Sequence, residues 1–424
     1  MKRYITKRKK LAYSESFKRR LFNRLPFSWK NTIAAHLGLY PRVVRQELSA
    51  VKEVLGGTSW NMSYSLNSKH TELEAEFSKY IGSEYAIAVG SGGVAIQLLT
   101  RALGLESKSE VIIQVDNCSA VPQALLNAQV TPVMVDVDTE SFQFSQRSLS
   151  NAITAKTKMI LATHMWGNPE DLDAVDVIAK KNDIYLVEDA CLALGGKTKG
   201  KHLGSFGIAG VFSFGSTKPL QAGEGGMVVT NNRDLAKEIK TLRSWGDREI
   251  EYGERDVNTL SWNGRMPEVT AAIALEQLRG YPSRLLKIQE RVADFRKLIL
   301  GIADISVVPG ANEVELAFTQ LSLRINANSR FKKNELMHLL SVQGVQCFHA
   351  NFEPITELTL FKSGAWLKWV RDGEQRRNPI ETDFPGAYEI FMNSGIGLVR
   401  SNFSSARNYN NLVRAIKNIF SYCS

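Results

Sequence analysis

Short apolar runs and helix-period stretches alternate through the middle of the chain. Tyr85–Val89, Val111–Ile113, Val133–Val135, Met159–Ala162, Ile184–Val187, Gly210–Ser213 and Met227–Thr230 are almost wholly apolar. Between them lie a helical run that follows Ser91-Gly92-Gly93 and reaches Leu103, then Ala120–Ala128 and Asp171–Lys181, with Arg233–Trp245 after the last. Apolar strands this short, alternating with helices, predict an α/β fold with a mostly parallel central sheet covered by helices on both faces. Two more helices are predicted ahead of it, 41–56, leading into Gly56-Gly57, and Ser68–Tyr80. In such sheets ligands sit at the carboxyl ends of the strands, where loops meet helix N-termini.

Near residue 283 the rhythm changes. Ser283 is a candidate cap for a helix whose Leu285, Ile288, Val292, Phe295 and Ile299 form one apolar stripe. A strand at Thr319–Arg324, a helix around 331–343 and a last helix at 408–420 come after it. This predicts a smaller C-terminal α+β domain. The expected organisation is an arm over 1–40, a large domain over 41–285 and a small domain over 286–424. A chain of 424 residues exceeds the roughly 250–300 at which single cores stop growing, which also points to two domains.

Charge changes the picture at one end only. Residues 1–30 hold eleven Lys/Arg against one acid, Glu15, and the other 394 residues hold 42 basic and 42 acidic side chains. The whole net charge of +10 therefore describes an arm. Such an arm offers a contact for polyanions without making the fold a nucleic-acid reader. It also carries Leu21, Phe22, Leu25, Phe27 and Trp29, a docking surface beyond charge. No run of about 18 apolar residues predicts a transmembrane helix, and the first thirty residues lack the apolar core of a secretory signal. Cys118, Cys191, Cys347 and Cys423 show no CxxC spacing and read as reduced thiols of a cytoplasmic protein. The six histidines form no metal motif, so no metal site is expected.

The densest chemistry lies between Val187 and Gly226. Asp189 follows a buried strand, and Lys218 comes 29 residues later, between two further strands. A buried carboxylate and a lysine are costly unless paired or used. Pyridoxal phosphate chemistry uses both, the lysine on the aldehyde and the acid on the pyridine nitrogen. Spacing alone leaves open that Asp189 caps a turn and Lys218 is a solvated loop residue. Ser91-Gly92-Gly93 places backbone N–H groups at a helix N-terminus, a phosphate cradle or an ordinary glycine turn.

The ordered motifs decide between these readings. Tyr85-Ala-Ile-Ala-Val-Gly-Ser-Gly92, Thr131-Pro-Val-Met-Val-Asp-Val-Asp138, His164-Met-Trp-Gly-Asn-Pro169, Glu188-Asp-Ala190, Ser213-Phe-Gly-Ser-Thr-Lys218, Gly223-Glu-Gly-Gly226 and Asn263-Gly-Arg-Met266, followed by Ala271-Ala272 and Glu276-Gln-Leu278, occur in that order. Together they resemble the DegT/DnrJ/EryC1/StrS family of sugar and cyclitol aminotransferases, from about residue 42 to the C-terminus. The resemblance implies the type I fold of pyridoxal-phosphate transferases and pyridoxal 5'-phosphate as cofactor. It implies Lys218 as Schiff-base lysine and proton shuttle, and Asp189 as partner of the pyridinium nitrogen. Ser213, Gly92 and Gly93 would bind the phosphate. Asn263 would reach the phosphate of a neighbouring subunit's cofactor, which implies a homodimer with shared active sites. Three positions depart from the family pattern. Gly93 replaces a threonine, Cys118 stands where an aromatic stacks on the ring, and Leu192 replaces a Gln or His.

The implied reaction moves an amino group from glutamate or glutamine to a keto sugar, with a nucleotide-linked keto-hexose as the leading acceptor and a keto-cyclitol as the alternative. Two other readings remain at this point. A pyridoxamine-dependent sugar dehydratase would carry histidine in place of Lys218, and a binding protein would have a retired core. His164 and Trp166 are candidates to face the active site, against a packed role. His349 is a weaker substrate-side candidate. Trp60, Asn61 and Tyr64 fall in the segment that lines the substrate cleft in the family, and simple packing is their alternative.

Overall fold

The computed structural model describes residues 45–57, 68–247, 256–257, 259–308, 314–317, 319–370 and 376–421. The basic arm, Trp60, Asn61, Tyr64 and Cys423 lie outside the described residues. All described residues belong to one compact unit, Arg45–Ser424.

Among the described residues the first nine strands are β1 Tyr85–Val89, β2 Glu110–Gln114, β3 Thr131–Val135, β4 Thr157–Thr163, β5 Tyr185–Asp189, β6 Lys197–Thr198, β7 Lys201–His202, β8 Ala209–Ser213 and β9 Gly226–Thr230. The main sheet runs in the order β1-β9-β8-β5-β4-β2-β3. Strands β3, β2, β4, β5 and β8 are parallel to one another, and β9 runs against both of its neighbours. This is the mostly parallel α/β sheet that the apolar runs predicted. The reversal of β9 matters for the site. It pairs Gly226 with both Ser213 and Val89, so β9 starts where β8 and β1 end.

Side-chain alternation along each strand feeds two separate cores. Ala86, Ala88, Ile112, Ile160, Ala162, Leu186, Phe212, Met227 and Val229 pack with Leu73, Phe77 and Ile81 of the helix Lys69–Ile81 and with the long helix Glu268–Ile299. Ile87, Val89, Val111, Ile113, Met159, Leu161, Val187, Val211 and Val228 pack on the opposite face, under the helices Gly92–Ala102, Ala120–Asn127 and Arg233–Arg243. Neighbouring residues of one strand thus enter different cores, as a period of two requires. Burying each large apolar side chain contributes about 1.5–3 kcal/mol, which is what holds helices on both faces.

The second sheet contains β10 Ile305–Val308, β12 Gln320–Ile325, β13 Cys347–His349 and β14 Gly395–Val399, in the order β10-β12-β14-β13 and antiparallel throughout. The short β11, Val314–Glu315, instead joins β6 and β7. The helices Lys333–Val342 and Ala406–Ser421 bring Leu336, Leu340, Leu412 and Ile416 into the same core that Phe295 and Ile299 enter. One apolar cluster therefore runs from a face of the main sheet into the second sheet.

Two local expectations are corrected. Ser283 does not cap a helix, because the helix begins at Glu268 after Pro267 and continues to Ile299 with Pro282 inside it. Ser283 Oγ donates to Gly280 O at 3.2 Å, and Arg284 donates to the Gln277 carbonyl at 2.9 Å, close to where the proline ring removes an N–H. Residue 285 thus falls within a helix. The strand expected at Ile184–Val187 is β5, Tyr185–Asp189, so Asp189 is its last residue and not a residue beyond it.

Candidate active site

The strand ends bring the predicted residues together. Ser91 caps the helix Gly92–Ala102, its Oγ accepting from Val94 N at 3.2 Å. The next N–H groups, at Gly92 and Gly93, belong to the first helical turn, where no intrahelical acceptor exists. A Cβ on Gly92 would lie 3.0 Å from both Cys191 Sγ and Ser213 Cβ, so any larger residue must displace one of them slightly. A Cβ on Gly93 would meet nothing nearer than Ser91 Oγ at 3.8 Å, which leaves open space before the helix. Gly226 closes the cradle from below, since a Cβ there would lie 2.8 Å from Gly92 N.

Lys218 enters from the loop between β8 and β9. Its backbone N–H donates to Gly215 O at 3.0 Å, in a tight turn, and the side chain is half-buried. A Cβ on Gly215 would stand 3.6 Å from Ser213 Oγ, 3.9 Å from Lys218 Cγ and 4.0 Å from Glu224 Oε2. Ser213 therefore has the helix N-terminus on one side and the lysine on the other. Arg400, just after β14, donates to Pro219 O at 3.1 Å and ties the second sheet to the residue following Lys218.

Asp189 is buried, and its carboxylate is oriented from two sides. Cys191 N donates to Oδ1 at 3.1 Å, and Thr163 Oγ1 donates to Oδ2 at 3.5 Å. Thr163 Oγ1 in turn accepts from Asn117 Nδ2 at 2.7 Å. Cys118, half-buried, donates its backbone N–H to Asn117 Oδ1 at 2.7 Å and so joins this chain of contacts. Leu192 is buried, and its carbonyl accepts from Thr319 Oγ1 at 2.8 Å. Asn263 stands apart from the group. It is exposed, its Oδ1 accepts from Arg265 N at 3.2 Å, and the next residue's carbonyl accepts from Gly90 N.

Cys191 went unremarked as a site residue in the sequence, although it lies two positions after Asp189 in a strand-end turn. Its thiol is pushed well up by burial and further up by the Asp189 carboxylate, with Lys218 working the other way. One side chain thus feels both chemical groups, while its own backbone N–H holds Asp189 and its sulfur stands against Gly92. Asn117 and Thr163 carry no local signal either, because nothing in a sequence shows that Thr163 pairs with Asp189 on the neighbouring strand or that Asn117, one strand further, reaches Thr163.

His164, Trp166 and His349 each have defined neighbours, and only His164 is fully buried. His164 is fully buried, with Nδ1 accepting from Glu170 N at 3.1 Å and Nε2 bonded to Glu188 Oε2 at 2.8 Å. Trp166 has φ 55°, unusual for a bulky residue, and stacks on Phe352 with ring centroids 4.7 Å apart. His349 bonds Phe391 O at 3.0 Å and stacks on the Phe391 ring. Burial and the neighbouring Lys333 hold its imidazole below its usual range. Among the described residues no cluster of His, Cys, Asp and Glu could hold a metal ion, and no helix is long and apolar enough to cross a membrane.

The sequence model of the DegT/DnrJ/EryC1/StrS aminotransferase family matches residues 41–367. An uncharacterized protein of Methanocaldococcus jannaschii is 33% identical over 247 residues, which cover 56% of this chain and 63% of that protein. A putative L-glutamine:3-amino-2,3-dideoxy-scyllo-inosose aminotransferase of Streptomyces kanamyceticus is 27% identical over 358 residues, covering 82% of this chain and 84% of that protein. GDP-perosamine synthase of Escherichia coli O157:H7 is 32% identical over 268 residues, covering 62% and 71%. Among solved structures, an aminotransferase from Psychrobacter cryohalolentis superposes with a TM-score of 0.78 at 25% identity, over 90% of this chain and 98% of that one.

Proposed function

Because this chain belongs to the DegT/DnrJ/EryC1/StrS aminotransferase family and shares its fold with a putative sugar aminotransferase of Streptococcus pneumoniae solved in PLP and PMP forms, we propose that it moves an amino group from glutamate or glutamine to a nucleotide-linked keto-hexose. The observation that carries this reading is that Ser213 and Cys191 meet at the glycine-lined start of one helix, with Asp189 bonded to Cys191 N and Lys218 in the turn that follows Ser213. A keto-cyclitol is the second acceptor class, favoured by the long match to the inosose aminotransferase of Streptomyces kanamyceticus. The sugar reading rests on the likeness to GDP-perosamine synthase.

The residues present fit pyridoxal phosphate. Gly92 leaves the space a Cβ would fill, and open volume lies ahead of Gly93 at the positive end of a helix. When bound, the cofactor supplies an aldehyde that takes up the amino group and a ring that accepts the electron pair left when Cα loses its proton. The N–H groups of Gly92 and Gly93 and the Ser213 hydroxyl would hold the phosphate. Asp189, oriented by Cys191 N and Thr163, would keep a proton on the pyridine nitrogen through a charge-assisted hydrogen bond. The Lys218 amine would take the proton from Cα and return it at the neighbouring carbon. Cys118 and Leu192 offer the ring less stacking area than an aromatic would. Retention of the lysine favours amino transfer over dehydration.

The reading extends to a homodimer in the cytoplasm. Exposed Asn263 would complete the phosphate site of a second copy, and the free thiols of Cys118, Cys191 and Cys347 suit a reducing compartment. Residues 1–30 would serve as a contact for polyanions.

The test is a panel of nucleotide-linked keto sugars and inososes, with glutamate and glutamine as donors, read by formation of the 2-oxo acid and of the amino product. Lys218→Ala is expected to lose turnover and the visible absorbance of the bound cofactor while remaining folded. Turnover at the wild-type rate in this variant would overturn the reading. A deoxygenated product without a new amine would replace it with dehydration.

A further inference from the structure

Two buried oxygen atoms near the site meet no hydrogen-bond partner, and they belong to residues that already touch. Asp116 lies two residues beyond β2, and Asn351 two residues beyond β13 of the second sheet. Asp116 is 1% exposed and Asn351 4%. Asn351 Nδ2 donates to Asp116 Oδ2 at 3.2 Å and reaches the Ala387 carbonyl at 3.5 Å. Asp116 Oδ1 and Asn351 Oδ1 remain unsatisfied. A carboxyl and a carboxamide joined by one N–H···O bond can bring their second oxygens together, and two oxygens attract only if one carries a proton. Leaving both bare would cost the desolvation of each.

We propose that Asp116 is a positioning residue which, as the neutral acid, forms a reciprocal pair with the Asn351 carboxamide and fixes the turn 116–118 against the loop 350–355. The groups around it suit a neutral acid. Asp136, at the end of β3, presents a second carboxylate, held by the N–H groups of Gly386 and Ala387 at 2.9 Å each. Glu170, in the turn after β4, is a third buried carboxyl, itself pushed well up by burial, and Asp116 adds to that shift. Among the described residues no lysine or arginine forms an ion pair with Asp116. Burial raises its acid to about 6, Asp136 adds to this, and the Asn351 amide and its own backbone N–H work against it. The pair is complete on the acid side of that value and loses its O–H donor above it.

The pair matters because the two residues after Asp116 lead to the candidate site. Asn117 donates to Thr163, which donates to Asp189, and Cys118 lies next. Ile355 N donates to Val115 O at 2.8 Å, so the same two segments are also tied by backbone. Asp116 thereby acts on the cofactor site through its neighbours, and this part of the inference rests on the amino-transfer reading.

Three holoenzymes, wild type, Asp116→Asn and Asp116→Ala, test it. The infrared carbonyl stretch of a buried neutral carboxylic acid is expected in wild type below pH 6, fading above it, and lost in Asp116→Asn. The asparagine keeps the shape and the donor but cannot ionise. Pyridoxal phosphate retention should weaken in wild type by about threefold relative to Asp116→Asn as pH rises from 5.5 to 7.5, the part of a tenfold, one-unit linkage that falls in this window. Asp116→Ala should hold the cofactor weakly at every pH. Identical pH profiles in wild type and Asp116→Asn, or no infrared difference between them, would overturn the proposal. Retention in Asp116→Ala equal to wild type would overturn the positioning role. If no variant loads cofactor yet the infrared signal behaves as expected, the acid–amide pair stands and the amino-transfer reading falls.

Discussion

At the scale of single residues, close packing around one glycine shapes the site. Gly92 has Cys191 Sγ and Ser213 Cβ each 3.0 Å from the place its Cβ would occupy. Gly92→Ala must push one of them aside, and overpacking of this kind costs about 1–3 kcal/mol, or roughly tenfold in binding per 1.4 kcal/mol. Titration of the apoprotein with pyridoxal phosphate should show that loss, and adding Cys191→Ala should recover part of it. Asp189 acts differently, since its packing tolerates an amide while its charge does not. Asp189→Asn should fold normally and lose about 10²-fold or more in kcat, as expected when a preorganised electrostatic contact is removed. A loss below tenfold in steady-state assays would argue against its role at the ring nitrogen.

At the scale of elements, most strands and helices were legible because short apolar runs and amphipathic stripes are local patterns. Boundaries moved where a local signal met a tertiary one. Ser283 looked like a cap, yet the helix passes through it because Leu285, Val292 and Phe295 continue a buried stripe begun by Ala271 and Leu275. The turn Met165–Gly167 shows the reverse, a local conformation imposed by a distant segment. Gly167 has φ 92°, and its Cβ would lie 1.7 Å from the Ala317 carbonyl oxygen. Gly196 presses on the same residue, with its Cβ position 2.8 Å from Ala317 N. Gly167→Ala combines a disfavoured φ with a backbone clash and should cost on the order of 3 kcal/mol. Thermal or urea unfolding would register it as a lowered midpoint, and an unchanged midpoint would mean that the 314–317 segment moves aside freely.

At the scale of the whole molecule, one core joins the two sheets, and the long helix Glu268–Ile299 enters it along most of its length. The second sheet reaches the site through a few polar contacts: Thr319 to Leu192, Arg400 to Pro219 and Asn351 to Asp116. Asn263 is exposed and bonded to Arg265 N, and the Arg265 guanidinium lies over the Trp245 ring. If Asn263 completes a second copy's phosphate site, mixed dimers of Lys218→Ala and Asn263→Ala contain one site with neither lesion. Mixing the two inactive proteins should then restore measurable activity. A protein that sediments as a monomer at micromolar concentration would rule this out.

The order of apolar runs, a glycine pair at a strand-to-helix junction, and an acid at one strand end with a lysine between two later strands were determined by the sequence alone. Each depends on residues near one another in the chain or on motifs whose order is itself linear. Only the tertiary structure decided that Cys191 stands against Gly92 and Asp189, that His164 is spent on Glu188 and Glu170, and that Asp116 meets Asn351. Those contacts join residues from different strands and from both sheets. Their formation depends on which strand lies beside which and on how the second sheet packs, and no local period in the chain encodes either.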